Sequence, residues 1–550
     1  MTSPGILSRL ASASPLRIAQ FLVAVIAIGL IFWKLQFSTT AICCGDFDGY
    51  YHIKWTQTLW ESIKSGRFPP PFPWLPLTTL NPRDYVDHHL LFHIFQIPFA
   101  VSSDPRLGAK IASALFGGLA VLSCFWLLFH YRVRYLFVWL IALLGCSAPF
   151  LFRMNMAKAP PLAIVYLVIA IHLFFKRKYW PLLPLALVFT WTYDLFVMLL
   201  MAAVFWVATI AITEKRLEWR PFVYVLVGCV AGMVINPYFP HNLQLLWEHI
   251  QIKVTASDFD TKVGSEWYPY DSWEFLGNSA VACMAMLAGY IAFEPTERRR
   301  AHYPIFFLLF STALMIMTAR WKRIAEYWPP FAVLFAGFAL KPWLEGFRPY
   351  LTRLPQEVQE ELEPFLDREG AVEPEKETTA RDVARTIGVV TIGVVLSFCL
   401  FLNLRATRAE IKQSEPHDHY SGGAEWMREN IPPGQLIFNT DWDDFPRLFY
   451  FDPAHNYVSG LDPSYLYDKD PELSRLYDRI TLGREEDPGP LIRDRFGARY
   501  VFSDNTHHDF FENARVSGWF DIVYEDAECT VMYIREEKLE ENPLGGLGDE

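Results

Sequence analysis

Eight cysteines in 550 residues, with no C-x-x-C pair among them, leave nothing from which to build a zinc site or a disulfide framework. Cys124, Cys146, Cys229, Cys283 and Cys399 fall inside apolar runs, and Cys43 and Cys44 are neighbours. An extended basic tract is also missing. The 49 lysines and arginines stand against 60 aspartates and glutamates, a formal net charge of -11, which excludes a nucleic-acid-binding face. No internal repeat recurs. The first apolar run, Ile18 to Phe37, is long for a signal-peptide core and lacks a small-residue cleavage site, so it reads as a retained span.

What is abundant is apolar surface: 52% of the residues are hydrophobic, 16% are aromatic, and the mean hydropathy is +0.15. These residues come in blocks. Up to Leu404, runs near bilayer length alternate with short charged loops; from Arg405 to Glu550 the chain is polar and turn-rich. The expectation is a polytopic α-helical membrane domain over 1–404 with about 11 to 13 spans, followed by a soluble mixed α/β domain over 405–550. The candidate spans after the first begin near Gly108, Tyr135, Pro160, Trp180, Leu195, Pro221, Asn278, Tyr303, Ile324 and Thr386. Strand-like runs lie at Gln435 to Asn439, Arg499 to Ser503 and Thr530 to Ile534.

Charge sets the orientation. With the N-terminus in the cytoplasm, Arg132 and Arg134, Lys176 to Lys178, Lys215 with Arg216 and Arg220, and Arg298 to Arg300 all fall on the cytoplasmic side, as the positive-inside rule requires. The acidic stretch within Lys341 to Arg385 reads as a cytoplasmic linker. The external or periplasmic side of the cell membrane then receives the loops 38–107 and 238–277, the turns at Lys158, Asp194 and Arg323, and the C-terminal domain.

The residues able to do chemistry sit in those external segments. Asp46 and Asp48 flank Phe47 just after the first span, and two carboxylates so placed suit a hard divalent cation, although an acidic turn has the same pattern. Asp84 and Asp87 precede His88, His89 and His93 in a Leu/Phe-rich stretch able to lie on the membrane as a helix, with His89 and His93 one turn apart. Glu266 follows Gly264-Ser265. Arg323 precedes Tyr327 and Pro330 at the start of a span, where a cation either anchors the helix or holds a phosphate. Asp441-Trp442-Asp443-Asp444 follows a strand in the C-terminal region.

In order, these pieces resemble the catalytic subunit of oligosaccharyltransferases, within the GT-C class of membrane glycosyltransferases that use polyprenyl-linked donors. Asp46 to Lys54 resembles the first-loop motif E-F-D-P-[WY]-[FY]-[NH]-Y-R, which implies a metal-binding and acceptor-orienting role for Asp48. Gly264-Ser265-Glu266 is similar to S-x-S-E, which implies that Glu266 reaches the same site. Arg323 with Tyr327 and Pro330 is similar to R-F-x-x-Y-x-x-P, which implies contact with donor phosphate. Asp441 to Phe445 resembles a degenerate W-W-D-Y-G, which implies acceptor contacts from Trp442 and Asp443. The second acidic motif of the family has no counterpart in Phe152 to Pro161. That leaves two completions: Asp46, Asp87 or a histidine such as His88 finishes a shell for Mn or Mg, or Lys158 and Arg153 supply the counter-charge to the phosphates.

The resemblance implies transfer of a sugar or oligosaccharide from a polyprenyl (pyro)phosphate to a protein, lipid or glycan acceptor. A monosaccharide transferase using a polyprenyl monophosphate is the variant within that class. A transporter or a membrane-anchored binding protein is the competing class, but transporters place ionisable groups near the bilayer midplane, and here they lie at helix ends. The topology is directly testable. An impermeant thiol reagent applied outside should label cysteines placed near His455 or near Tyr268, and should leave Arg299→Cys unlabelled; labelling of Arg299→Cys in intact cells would invert the assignment.

Overall fold

The computed structural model describes residues 15–41, 47–250, 265–293, 301–344 and 374–539. Each apolar run becomes helical, and Pro15–Gln36, Pro105–His130, Asp194–Glu214, His302–Arg320 and Thr386–Ile411 are long and apolar enough to cross a membrane singly. Local signals set their starts. Asp104 accepts a hydrogen bond from the Leu107 N–H (3.0 Å) with Pro105 in the first turn, so donors that the helix leaves unpaired are capped.

The run from Tyr135 to Phe152, expected as a single span, is bent, and the span expected from Asn278 is preceded, across a second bend, by a short helix inside the external loop 238–277. Leu136–Leu144 and Ala148–Met154 meet at 79°, and Ser272–Asn278 meets Ala280–Ala292 at 84°. The first bend has a local cause: Ser147 caps a new helix by accepting from the Phe150 N–H (3.3 Å), and Pro149 sits in its first turn. Elsewhere helices approach closely through small residues. Gly228 and Gly232, four apart on Arg220–Ile235, face Leu182–Thr192; a Cβ on Gly228 would lie 2.3 Å from the Leu183 carbonyl oxygen.

Contacts sort the loops into two ends of the bundle. At one end Arg177 and His302 both meet Glu214, Arg134 donates to the Leu344 carbonyl (3.1 Å), and Lys341 donates to that of Tyr131 (2.8 Å). The basic loops grouped by the positive-inside rule thus lie together, apart from Arg298 to Arg300, which fall outside the described residues. The other end gathers the Asp48–Lys64 helix, the segment around Lys158, Asp194, Glu266 and Arg323.

The expected helix in the Leu/Phe-rich stretch runs Leu90–Ala100. It packs on Asp48–Lys64, Pro105–His130 and Leu182–Thr192 through a face that fully buries His93, and leaves Phe95 exposed on the other.

The C-terminal region carries a five-stranded sheet ordered β2-β1-β3-β5-β4, with β1 (Leu436–Asn439), β2 (Asn456–Tyr457), β3 (Tyr500–Asp504), β4 (Phe520–Glu525) and β5 (Cys529–Ile534). β1 pairs parallel with β2 and β3; β5 runs antiparallel to β3 and β4. This unit is welded to the first long loop by an aromatic seam. Phe72 stacks on Tyr85, Trp74 lies 4.6 Å from Phe449, and the Trp74 indole donates to the Pro453 carbonyl (2.8 Å) while the Trp74 carbonyl accepts from the Tyr457 N–H (2.8 Å). Phe449→Ala should remove about 3–5 kcal/mol from this seam. The check is a lower thermal midpoint of the detergent-solubilised protein, with the exposed Arg484→Ala as an unchanged reference.

Candidate functional site

The Asp48–Lys64 helix places Asp48 in its first turn and His52 one turn later on the same side. Tyr51, Trp55 and Leu59, on an adjoining face, sink into the aromatic seam and hold the helix rigid. Lys158 lies in the short connection ahead of Pro160–Phe175. That connection is pinned by Gln36, whose Nε2 donates to the Asn155 carbonyl (2.5 Å), and by Asn155 Nδ2 donating to the Leu151 carbonyl (2.7 Å). Lys158 Nζ meets Asp48 Oδ2 at 2.8 Å.

Glu266 stands in the one-turn helix Ser265–Trp267 and Arg323 in the turn Lys322–Glu326; a backbone bond from Lys322 N–H to the Tyr268 carbonyl (3.1 Å) ties the two loops. Arg153 reaches both Glu266 (2.7 Å) and Glu326 (2.5 Å), and Arg323 pairs with the other oxygen of Glu266. Burial alone would raise the Glu266 pKa, but the guanidinium groups of Arg323 and Arg153 hold it well below the usual carboxylate range. Arg323 also donates to the Tyr193 hydroxyl (2.8 Å) and lies 5.2 Å from the Trp267 ring, and its Nε is buried with no hydrogen-bond partner among the described residues.

These groups surround one cavity of about 100 Å³. Its lining includes Asp48, His88, Lys158, Glu266 and Arg323, so five of the residues picked out from sequence converge although the chain separates them by up to 275 positions (323 − 48). His52, His89, Tyr193 and Asp194 complete the wall, and the C-terminal unit adds a roof of Leu461, Asp462 and Tyr465. Leu461 holds a positive φ of 68°, a conformation costly for a branched side chain and typical of residues fixed for a site.

Trp442 and Asp443 do not line this cavity. Trp442 meets Phe47 edge-on at 6.0 Å and so braces the segment preceding Asp48. Asp443 belongs to an acidic group with Asp441, Asp444 and Asp504; burial, then Asp441, raises its pKa. His507 closes that group by bonding Asp504 (2.5 Å).

Among the described residues no three His, Cys, Asp or Glu side chains are arranged to hold a metal ion. One oxygen of Asp48 meets Lys158, and Glu266 is held by two guanidinium groups. Asp46 lies outside the described residues.

His52 was recoverable from sequence by helical spacing from Asp48. The roof was not: Leu461 to Tyr465 carries no motif, and only the docking of the C-terminal unit brings it over the cavity.

No protein-family model matches the chain, and no curated protein matches it. Solved structures do. The chain is similar to the oligosaccharyltransferase of Archaeoglobus fulgidus in its apo form, with TM-score 0.57 and 13% identity over 94% of this chain and 74% of that one. The same enzyme tethered by a disulfide bond to an acceptor peptide containing the NVT sequon gives 0.56 and 12%, over 94% and 74%. ArnT from Cupriavidus metallidurans, bound to undecaprenyl phosphate, gives 0.51 and 14%, over 93% of this chain and 98% of that one. At such identities the shared property is the fold: this chain is built as the GT-C glycosyltransferases are, a polytopic helical membrane bundle carrying a C-terminal α/β unit.

Proposed function

We propose that this protein is an integral-membrane glycosyltransferase that moves a sugar or oligosaccharide from a polyprenyl phosphate or pyrophosphate to an acceptor. In this reading the N-terminus lies in the cytoplasm, and the cavity and C-terminal unit face outward. The observation that carries it is the meeting of Arg323, Lys158 and Asp48 at one small cavity at the end of the bundle, where a lipid phosphate at the headgroup level meets an aqueous acceptor.

The chemistry is displacement at the anomeric carbon. The acceptor's lone pair forms the new bond, the bond from that carbon to the phosphate oxygen breaks, and its electron pair passes to the phosphate, where negative charge builds. Arg323, with its orphaned Nε, and Lys158 are the cations placed to receive that charge. Asp48 holds Lys158 and presents a carboxylate to the acceptor, while Glu266 orients the guanidinium of Arg323.

The turning of Trp442 onto Phe47, away from the cavity, favours an acceptor other than an asparagine sequon. It fits the narrower reading in which a single sugar moves from a polyprenyl monophosphate to a lipid, glycan or protein hydroxyl. Purified full-length protein in nanodiscs, given radiolabelled polyprenyl-linked sugars and such acceptors, should release polyprenyl phosphate as it labels the acceptor. No transfer from any such donor overturns the proposal.

Removing one preorganised charge contact typically costs about 2.7–4 kcal/mol in the transition state. Arg323→Ala should therefore cut turnover by about 10²-fold or more. Arg320→Ala, an exposed residue whose guanidinium lies 5.9 Å from the Trp321 ring, should do far less; equal losses would mean that Arg323 is the wrong cation. Lys158→Ala and Asp48→Asn should each lose most activity in protein that still inserts, and an inert Lys158→Ala would remove the ammonium from the mechanism.

A further inference from the structure

A buried chain of hydrogen bonds leads from the cavity wall into the protein behind it. His52 Nδ1 lies 2.8 Å from His93 Nε2, and His93 Nδ1 lies 2.8 Å from Asp87 Oδ2. The three residues are 4%, 0% and 2% exposed. Asp87 is further held by the Trp55 indole N–H (2.9 Å) and the His89 backbone N–H (3.0 Å), donors that suit a carboxylate able only to accept.

The pattern assigns the protons. Facing an ionised Asp87, His93 Nδ1 must donate, so a neutral His93 presents a bare Nε2 to His52. The His52 Nδ1 must then carry the hydrogen of that bond, which leaves the lone pair of His52 on Nε2. The His52 ring lines the cavity one helical turn from Asp48.

We propose that His52 Nε2 accepts the proton of the attacking hydroxyl, and that His93 and Asp87 act behind it as a relay that takes up the resulting charge. As the acceptor oxygen bonds the anomeric carbon, its proton passes to His52 Nε2 and the Nδ1 proton of His52 passes to His93 Nε2. The imidazolium thus rests on His93 against the Asp87 carboxylate. The proton later leaves by the reverse path, to the departing phosphate or to water.

The relay answers a constraint that a lone histidine could not meet. Burial pulls the His52 pKa well below its ordinary value, and the neighbouring His93, Lys158 and His88 pull the same way, so His52 is a poor place to leave a positive charge. Tyr51 and His89 are the other titratable rings against it, at 5.3 Å each. None of these offers a counter-charge, whereas His93 faces Asp87 directly. Burial opposes ionisation of Asp87, yet His93 and the Trp55 N–H hold its pKa below the ordinary value. The outcome for the acceptor is chemical class: a neutral imidazole base suits a hydroxyl.

The inference rests on the transferase reading, and the test separates the two. Full-length wild type and variants are assayed with the polyprenyl-linked donor and hydroxyl acceptor on which the wild type is active, and undecaprenyl phosphate binding is followed by tryptophan fluorescence. His52→Ala should lower kcat by about 10²-fold or more, the usual worth of a positioned base. The KM for donor and the affinity for undecaprenyl phosphate should stay unchanged, and added imidazole should restore part of the rate. Asp87→Asn, nearly isosteric and so a control against misfolding of the alanine variant, should also lower kcat with donor binding intact, and imidazole should not rescue it. Wild-type-like turnover in His52→Ala, or losses in both variants that track lost phosphate binding without imidazole rescue, overturns the relay and leaves the transferase reading standing. A wild type that transfers no sugar overturns both.

Discussion

Two guanidinium groups sharing the carboxylate of Glu266 are the constraint on which the candidate site depends. Arg153 comes from the bent second half of the third apolar run, Glu266 from an external loop, and Arg323 with Glu326 from the turn before another helix, so one ionic knot ties three distant segments. Glu326 is 1% exposed, and removal of one partner from so buried a group typically costs about 3–5 kcal/mol because the survivor is left uncompensated. The knot also divides labour. Arg153 is clasped between two glutamates, whereas Arg323 pairs with Glu266 and the Tyr193 hydroxyl and lines the cavity.

A second charge pair stands across the cavity. Lys158 and Asp48 come from different segments and meet only because the helix beginning at Asp48 is anchored by its aromatic face and the Lys158 turn is pinned by Gln36. Where the resemblance led to the expectation of a further carboxylate, the wall carries the Lys158 ammonium group beside Asp48.

Much of this was legible in the residues. Apolar runs near bilayer length became helices, the basic loops gathered at one end, and Asp48, Lys158, Glu266, Arg323 and His88 converged because topology puts their loops together. The bend after Leu144 was missed because a hydropathy window does not register a cap, although Ser147 followed by Pro149 is a readable helix start. Helical spacing placed His89 and His93 one turn apart, and their rings lie 6.1 Å from each other, but the hydrogen-bond partners of His93 are Asp87, six residues away, and His52, 41 residues away. Tertiary partners of that kind are invisible to any local pattern. So is the roof at Leu461, whose backbone strain has meaning only once the cavity beneath it exists.

That roof has a consequence for how such a protein can change over generations. The wall of the cavity is written in the first 323 residues and its lid after residue 460, across an aromatic seam in which Phe72, Trp74 and Phe449 interlock. The C-terminal unit is therefore not a module that recombination can exchange freely. A new lid inherited without its matching first loop would arrive over a cavity it does not fit, so specificity must drift by paired substitutions on both sides of the seam rather than by domain shuffling.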